Sequence, residues 1–226
     1  MDIPAGLLPA GILWGAALLY GLLLAGALLT APWSKLADNE ASHVYFAAVA
    51  SVAVLWTLRA GIAPGHNYHL LGVTSLCLMF DWQFALLAVS LVLLATTWQG
   101  PAGWEAFALN ALVMGALPVL FTRVLLYASQ RWLTHNFFIY VFLNAFLAGV
   151  LGILLCGLAA TAILTLAPGD SVDRSGGSYL LFIPMLMFGE GFLNGMAMTL
   201  LVAYRPRWVS TFHDRWYLNG NSTTTG

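Results

Sequence analysis

The sequence predicts an all-α, polytopic membrane helix bundle, and three observations predict it. Hydrophobic residues make up 61% of the chain and charged residues 8%, against roughly 25% charged in an ordinary soluble domain. So few charges cannot cover the surface of a soluble fold. The apolar residues gather into seven runs, at about 10–32, 42–62, 69–80, 83–98, 106–128, 137–166 and 178–204. Trp33, Trp82, Trp98, Trp104, Trp132, Trp208 and Trp216 fall near run ends, where amphipathic rings settle at a membrane–water interface.

The runs are expected as helices, because spanning the hydrocarbon core takes about 20 helical residues. Five meet that length. The runs 69–80 and 83–98 are short and separated by Phe80-Asp81-Trp82. They read as two short helices or a broken, partly re-entrant pair, which is tolerated only where protein or a cavity surrounds it. The first eight residues carry Asp2 and no Lys or Arg, unlike a secretory signal, so no removable targeting segment is expected. With seven crossings and the N-terminus outside, Lys35, Arg123, Arg131, Arg205, Arg207 and Arg215 fall inside, and Arg59 and Arg174 outside. That split follows the positive-inside rule, and it puts the C-terminus inside.

The net charge of −1 gives no basic surface for nucleic acid. Cys77 and Cys156 lie inside apolar runs, so packed, reduced thiols are expected. Residues 1–218 read as one transmembrane domain and 219–226 as a polar tail.

Between the second and third runs lies a polar island, Pro64-Gly65-His66-Asn67-Tyr68-His69-Leu70-Leu71-Gly72, with two of the five histidines. Pro64-Gly65 reads as a turn, and Asn67 as the N-cap of a helix starting at Tyr68 or His69. In a helical turn His66 and His69 share a face and converge on one ion. The competing reading is a wet loop whose histidines bond backbone carbonyls. Topology puts this loop and the N-terminus on the same, outer side.

Glu190 is the one carboxylate deep inside a spanning run, with Asn194 on the same face at i+4. Burying such a group is costly, which makes it a functional candidate; the alternative is a protonated or hydrogen-bonded packing residue. It is expected to support packing or gating rather than to hold a ligand. Gly191 and Gly195, like Gly11 and Gly15 or Ala17, Gly21 and Ala25, form small-residue pairs that let helices approach closely. Asn110 is expected in an interhelical hydrogen bond, and His43 and His135 as interfacial anchors.

Several of these segments together resemble a known family. Met1-Asp2-Ile3-Pro4-Ala5-Gly6-Leu7-Leu8-Pro9 is similar to a Met-His-Ile-x-Glu-Gly-x-Leu-Pro start. Pro64-Gly65 through His69-Leu70-Leu71-Gly72 is similar to Pro-Gly-Thr-Ser-Gly-His-Leu-Leu-Gly, and Asn110 to Gly115 to Asn-x-x-x-Met-Gly. Glu190 to Gly195, followed by Arg205-Pro206, looks like the same family's last helix. The chain resembles the CbiM/NikM family, the substrate-binding permease (S component) of cobalt and nickel energy-coupling factor ABC transporters. The resemblance implies a bacterial inner-membrane, multi-pass component that is not an enzyme and carries no resident cofactor. Its transported substrate would be a divalent metal ion, cobalt or nickel. Its partners would be a coupling transmembrane subunit, separate ATPase subunits and membrane lipid; the chain has no Walker A sequence.

In the family the N-terminal tail folds back between helices and nitrogen ligands hold the metal. Carried over, Met1 supplies an amine, Asp2 an amide and His69 an imidazole. The chain departs where Asp2 stands for histidine, Ala5 for glutamate and His66 for threonine. Two readings stay open: His66 compensates for the missing imidazole, or the site is altered or lost. Four planar nitrogen donors suit Ni(II) or Cu(II), whereas a carboxylate admits other divalent ions. A histidine-ligated haem redox protein is the alternative, though His66 and His69 are too close in sequence to face each other across a haem easily. An intramembrane hydrolase built on Glu190 finds no HExxH or nucleophile motif.

Overall fold

The computed structural model describes residues 3, 4, 6, 8–58, 60–63, 66–99, 103–165, 175–213 and 217; at 60–63, 66–68, 99 and 175–181 only the backbone is described. Six helices form a bundle: α1 (Ala10–Thr30), α2 (Asn39–Thr57), α3 (Val73–Gln99), α4 (Trp104–Trp132), α5 (Phe137–Thr165) and α6 (Ser175–Tyr204). A small antiparallel hairpin, β1 (Ala60–Ala63) and β2 (His66–Tyr68), joins α2 to α3. Five helical stretches among the described residues, 10–30, 73–98, 104–132, 137–165 and 182–204, are long and apolar enough to cross a membrane. Large apolar side chains such as Trp14, Leu29, Trp98 and Phe188 stand exposed on the bundle surface, as a lipid-facing surface permits.

α3 is not one rod. Asp81 has φ 68° and ψ 171°, backbone that residues with a Cβ rarely adopt and that costs about 1–3 kcal/mol. The contacts on either side show a reversal. The 73–80 arm starts beside Trp56, whose indole N–H donates to the Leu71 carbonyl at 2.9 Å. It ends beside Tyr45, eleven positions earlier on α2, whose ring packs on Phe80 and whose hydroxyl donates to the Phe84 carbonyl at 3.0 Å. The 82–99 arm then returns: Trp33 meets Phe84, and Ser90 hydrogen-bonds the Tyr20 hydroxyl midway along α1. The two short runs are therefore a broken pair, which gives seven long helical elements among the described residues. Asp81 Oδ1 steadies the turn by accepting from Trp82 N at 2.8 Å and facing Arg123 Nε at 3.4 Å.

Both ends of the short arm are closed by the end of the chain. At its start, α6 reaches in with Glu190 and Asn194. At its finish, the segment after α6 supplies Ser210 N to the Met79 carbonyl at 2.9 Å and Thr211 Oγ1 to the Leu78 carbonyl at 2.7 Å. Helix termini leave orphan N–H and C=O groups, and in lipid no water is there to take them.

α5 and α6 pack through small residues, as the Gly191 and Gly195 spacing predicts. A Cβ on Gly191 would lie 2.5 Å from Val150 Cγ2, and one on Gly195 would lie 3.2 Å from Phe146 Cβ. The small residues of α1 behave differently: among the described residues, a Cβ on Gly11, Gly15 or Gly21 meets nothing within 4 Å.

The polar island departs from expectation. His66–Tyr68 is strand, and the helix begins at Val73, so Asn67 is not its cap and His66 and His69 do not share a helical face. Helix α2 ends at Thr57, earlier than the run to 62, because the chain turns there into the hairpin.

Gly191→Ala is expected to lower stability by about 1–3 kcal/mol through overpacking, seen as a lower unfolding midpoint in detergent. Gly11→Ala, into open space, should leave the midpoint unchanged.

Candidate metal site

Glu190 lies at the start of the short arm, where its carboxylate is 2% exposed. Oε2 accepts from Leu71 N and Oε1 from Gly72 N, both at 2.7 Å. Asn194 Nδ2 donates to Oε1 at 2.9 Å, while Asn194 Oδ1 accepts from Ser75 N at 2.8 Å and Ser75 Oγ at 2.7 Å. All three bonds to the carboxyl oxygens come from donors, so both oxygens act as acceptors here. Sequence spacing put Glu190 and Asn194 on one face; it did not reveal that this face caps a helix 118 positions away.

This cap fixes the turn that carries His69. Leu71 is held from both sides, its N–H by Glu190 and its carbonyl by Trp56. Gly72 has φ +65°, and a Cβ there would lie 3.3 Å from Leu55 Cδ2, so both backbone and space require glycine. His69 is 2% exposed and its ring lies 4.7 Å from that of Trp56. Its Nδ1 sits 3.2 Å from the Leu70 carbonyl. When Nδ1 donates there, the ring lone pair is on Nε2, the arrangement a metal-ligating imidazole needs.

The N-terminal tail is held separately. Asn110 Oδ1 accepts from Ile3 N at 2.8 Å, and Asn110 Nδ2 donates to the Ile3 carbonyl at 3.1 Å. Ile3 is fully buried and Leu8 nearly so, which seats the tail in the core. The amide of Asn110 thus serves the tail and not a neighbouring helix. It occupies the last position before a π-helical segment, Ala111–Ala116, a local widening that is frequent at functional sites.

Of the residues singled out in the sequence, Glu190 and Asn194 meet the turn after His69, and Asn110 meets Ile3. Met1 and Asp2 lie outside the described residues, and of His66 only the backbone is described. Among the described residues no three His, Cys, Asp or Glu side chains converge as a metal cluster would. His43 borders a groove on α2, and the His135 ring packs on Tyr217. Trp56, Ser75 and Ile3 were missed. An indole and a hydroxyl inside apolar runs, and an isoleucine in the tail, carry no signal of the distant groups they meet.

A family model described as the cobalt uptake substrate-specific transmembrane region, CbiM, matches residues 2–208. The chain belongs to this family. Membership of CbiM makes it a membrane component of metal uptake, not the haem redox protein that the histidines left open. Two crystal structures share the fold. One, described as a truncated transition metal transporter, aligns with a TM-score of 0.75 at 17% identity, covering 90% of this chain and 99% of that one. The other, described as a transition metal transporter, gives 0.72 at 16% identity, covering 90% and 93%. At these identities the likeness speaks for the fold alone. No curated protein matches the chain.

Glu190→Gln replaces one acceptor oxygen by a donor facing a backbone N–H. It is expected to cost about 1.5–3 kcal/mol, the range of hydrogen bonds to a charged group, and Glu190→Ala more, because three donors lose their partner. Thermal unfolding in detergent checks the order wild type, Gln, Ala.

Proposed function

We propose that this chain is the substrate-binding component of an energy-coupling factor importer for a divalent transition metal, cobalt or nickel. The observation that carries the reading is the seating of the tail: Ile3 is buried and bonded at both backbone groups by Asn110. That anchor is the residue next to Asp2 in the sequence, which supports a role for the tail in the site. In this reading the Met1 amine, the Asp2 amide and the His69 imidazole hold the ion, with His66 nearby. Glu190 and Asn194 hold the turn and Asn110 holds the tail, none of them as ligands. With Asp2 in place of histidine, the site is altered relative to the family pattern.

Orientation follows from charge. All five described Lys and Arg side chains, Lys35, Arg123, Arg131, Arg205 and Arg207, belong to the bundle end that carries residues 206–213. The positive-inside rule makes that end cytoplasmic and the tail and hairpin external, in a bacterial inner membrane. Work on the transporter would come from a coupling membrane subunit and ATPase subunits at the cytoplasmic end.

Metal content by mass spectrometry, and nickel and cobalt titrations of the purified chain, test the reading. A two-residue N-terminal extension should abolish binding, and His69→Ala should weaken it by at least about 100-fold, beyond the usual loss for an outer-shell partner. His66→Ala should cost no more than His69→Ala. Asp2→His should tighten nickel and cobalt by restoring a nitrogen donor. Binding should weaken in acid, since amine and imidazole must both be unprotonated. Unchanged binding by the extended chain would leave the fold and family standing and remove the ligand set. Reporter fusions after Lys35 and after Arg207 should report the cytoplasm, and one at Gly103 the opposite side.

A further inference from the structure

The widened turn beside Asn110 has a cause further along α4. Pro118 is buried in that helix, two positions after the π-helical segment Ala111–Ala116 ends. A proline inside a helix donates no hydrogen bond, and its ring collides with the carbonyl four residues back, here that of Met114. Opening the turn relieves the collision. The hydrogen bonds show the opening, since Leu117 N–H reaches five residues back to the Leu112 carbonyl, where an α-helix reaches four.

This leaves the Val113 carbonyl with no helical donor. The N–H four residues on, of Leu117, is committed to Leu112, and Pro118, five residues on, has none. A buried carbonyl without a partner is costly where no water reaches it. The partner comes from α5: the fully buried Cys156 thiol donates to the Val113 carbonyl at 3.0 Å. Gly152, one turn earlier on the same face of α5, stands against the proline ring. An added Cβ there would lie 3.5 Å from Pro118 Cβ.

One residue added to a helical turn rotates everything before it by about 100° around the axis, relative to a regular α-helix. Asn110 is the last residue before the opening, so its direction depends on it. We infer that Pro118 and Cys156 are positioning residues for the N-terminal tail. The proline opens the turn, the thiol completes it, and the opening aims the Asn110 amide at both backbone groups of Ile3. In a regular helix, with the 117–132 part of α4 held in place, that amide would face about 100° away from the tail. The consequence for metal binding rests on the ligand set proposed above; the consequence for the tail does not.

Hydrogen exchange at the Ile3 amide and nickel titration, both on the full chain in detergent, test the inference. Cys156→Ala removes the donor, and Pro118→Ala lets the regular register return. Each should speed exchange at Ile3 about ten-fold, the loss of one hydrogen bond. Each should also weaken nickel about ten-fold, the lower end for a residue that supports a ligand from outside. Cys156→Ser removes the same sulfur but keeps a donor, so exchange and nickel affinity should stay near those of the wild type. That rescue separates the hydrogen bond from packing, which both substitutions alter. Should Pro118→Ala fail to fold, the alanine and serine pair at position 156 carries the test alone. Unchanged exchange at Ile3 in Cys156→Ala would overturn the inference, as would an equal loss in Cys156→Ala and Cys156→Ser. Faster exchange in Cys156→Ala but not Cys156→Ser, with no nickel bound by the wild type, would uphold the inference and remove the proposed ligand set instead.

Discussion

A helical arm of eight residues is about 12 Å long, too short to cross a bilayer and too short to be stable by itself. Half of its backbone N–H and C=O groups are terminal groups, and inside a membrane each orphan costs several kcal/mol. The 73–80 arm exists because others complete it. Glu190 takes the N–H groups of Leu71 and Gly72, Asn194 takes that of Ser75, and Ser210 and Thr211 serve the carbonyls of Met79 and Leu78. The dependence is mutual. A carboxylate buried at this depth is tolerable because three donors surround it, and the arm's first turn is tolerable because a carboxylate sits there.

From that exchange follows the geometry at the site. The residues just before the arm cannot wander, since Leu71 is bonded at both its N–H and its carbonyl and Gly72 is pressed against α2. His69 is thereby presented from a turn whose Leu71 and Gly72 amides are anchored to α6. The tail arrives by a different route and is anchored by a different amide, Asn110 on α4, at a break in the α-helical register. Two segments far apart in sequence are each immobilised by one polar side chain projecting from an apolar helix. In a chain with 8% charged residues, that is where the few polar groups are used.

What could be read in the sequence was what depends on composition and short spacing. The helix bundle follows from the apolar runs. The broken pair follows from Asp81 interrupting them, and the close approach of α5 and α6 from Gly191 and Gly195. The resemblance of the Ile3, His69, Asn110 and Glu190 segments pointed to the right family. What could not be read was set by partners distant in the chain. Asn67 looked like a cap because it precedes an apolar run, but the hairpin pairs that segment as strand and Glu190 supplies the cap from α6. The glycines of α1 looked like a packing face, yet among the described residues nothing lies within 4 Å of an added Cβ there. Spacing reports a face, not what the face meets.

The arm also links the two ends of the bundle. Its start is fastened to α6 at Glu190 and Asn194, and its finish to the segment that follows α6. Eight residues of helix do not bend appreciably, so the arm, α6 and the 206–213 segment form one mechanical unit. The reversal at Asp81 keeps that unit from continuing into the 82–99 arm, which packs instead on α1 through Tyr20 and Ser90. Backbone strain at Asp81 is thus placed where two differently supported bodies join, and the Trp82 and Arg123 contacts offset part of its cost at that joint.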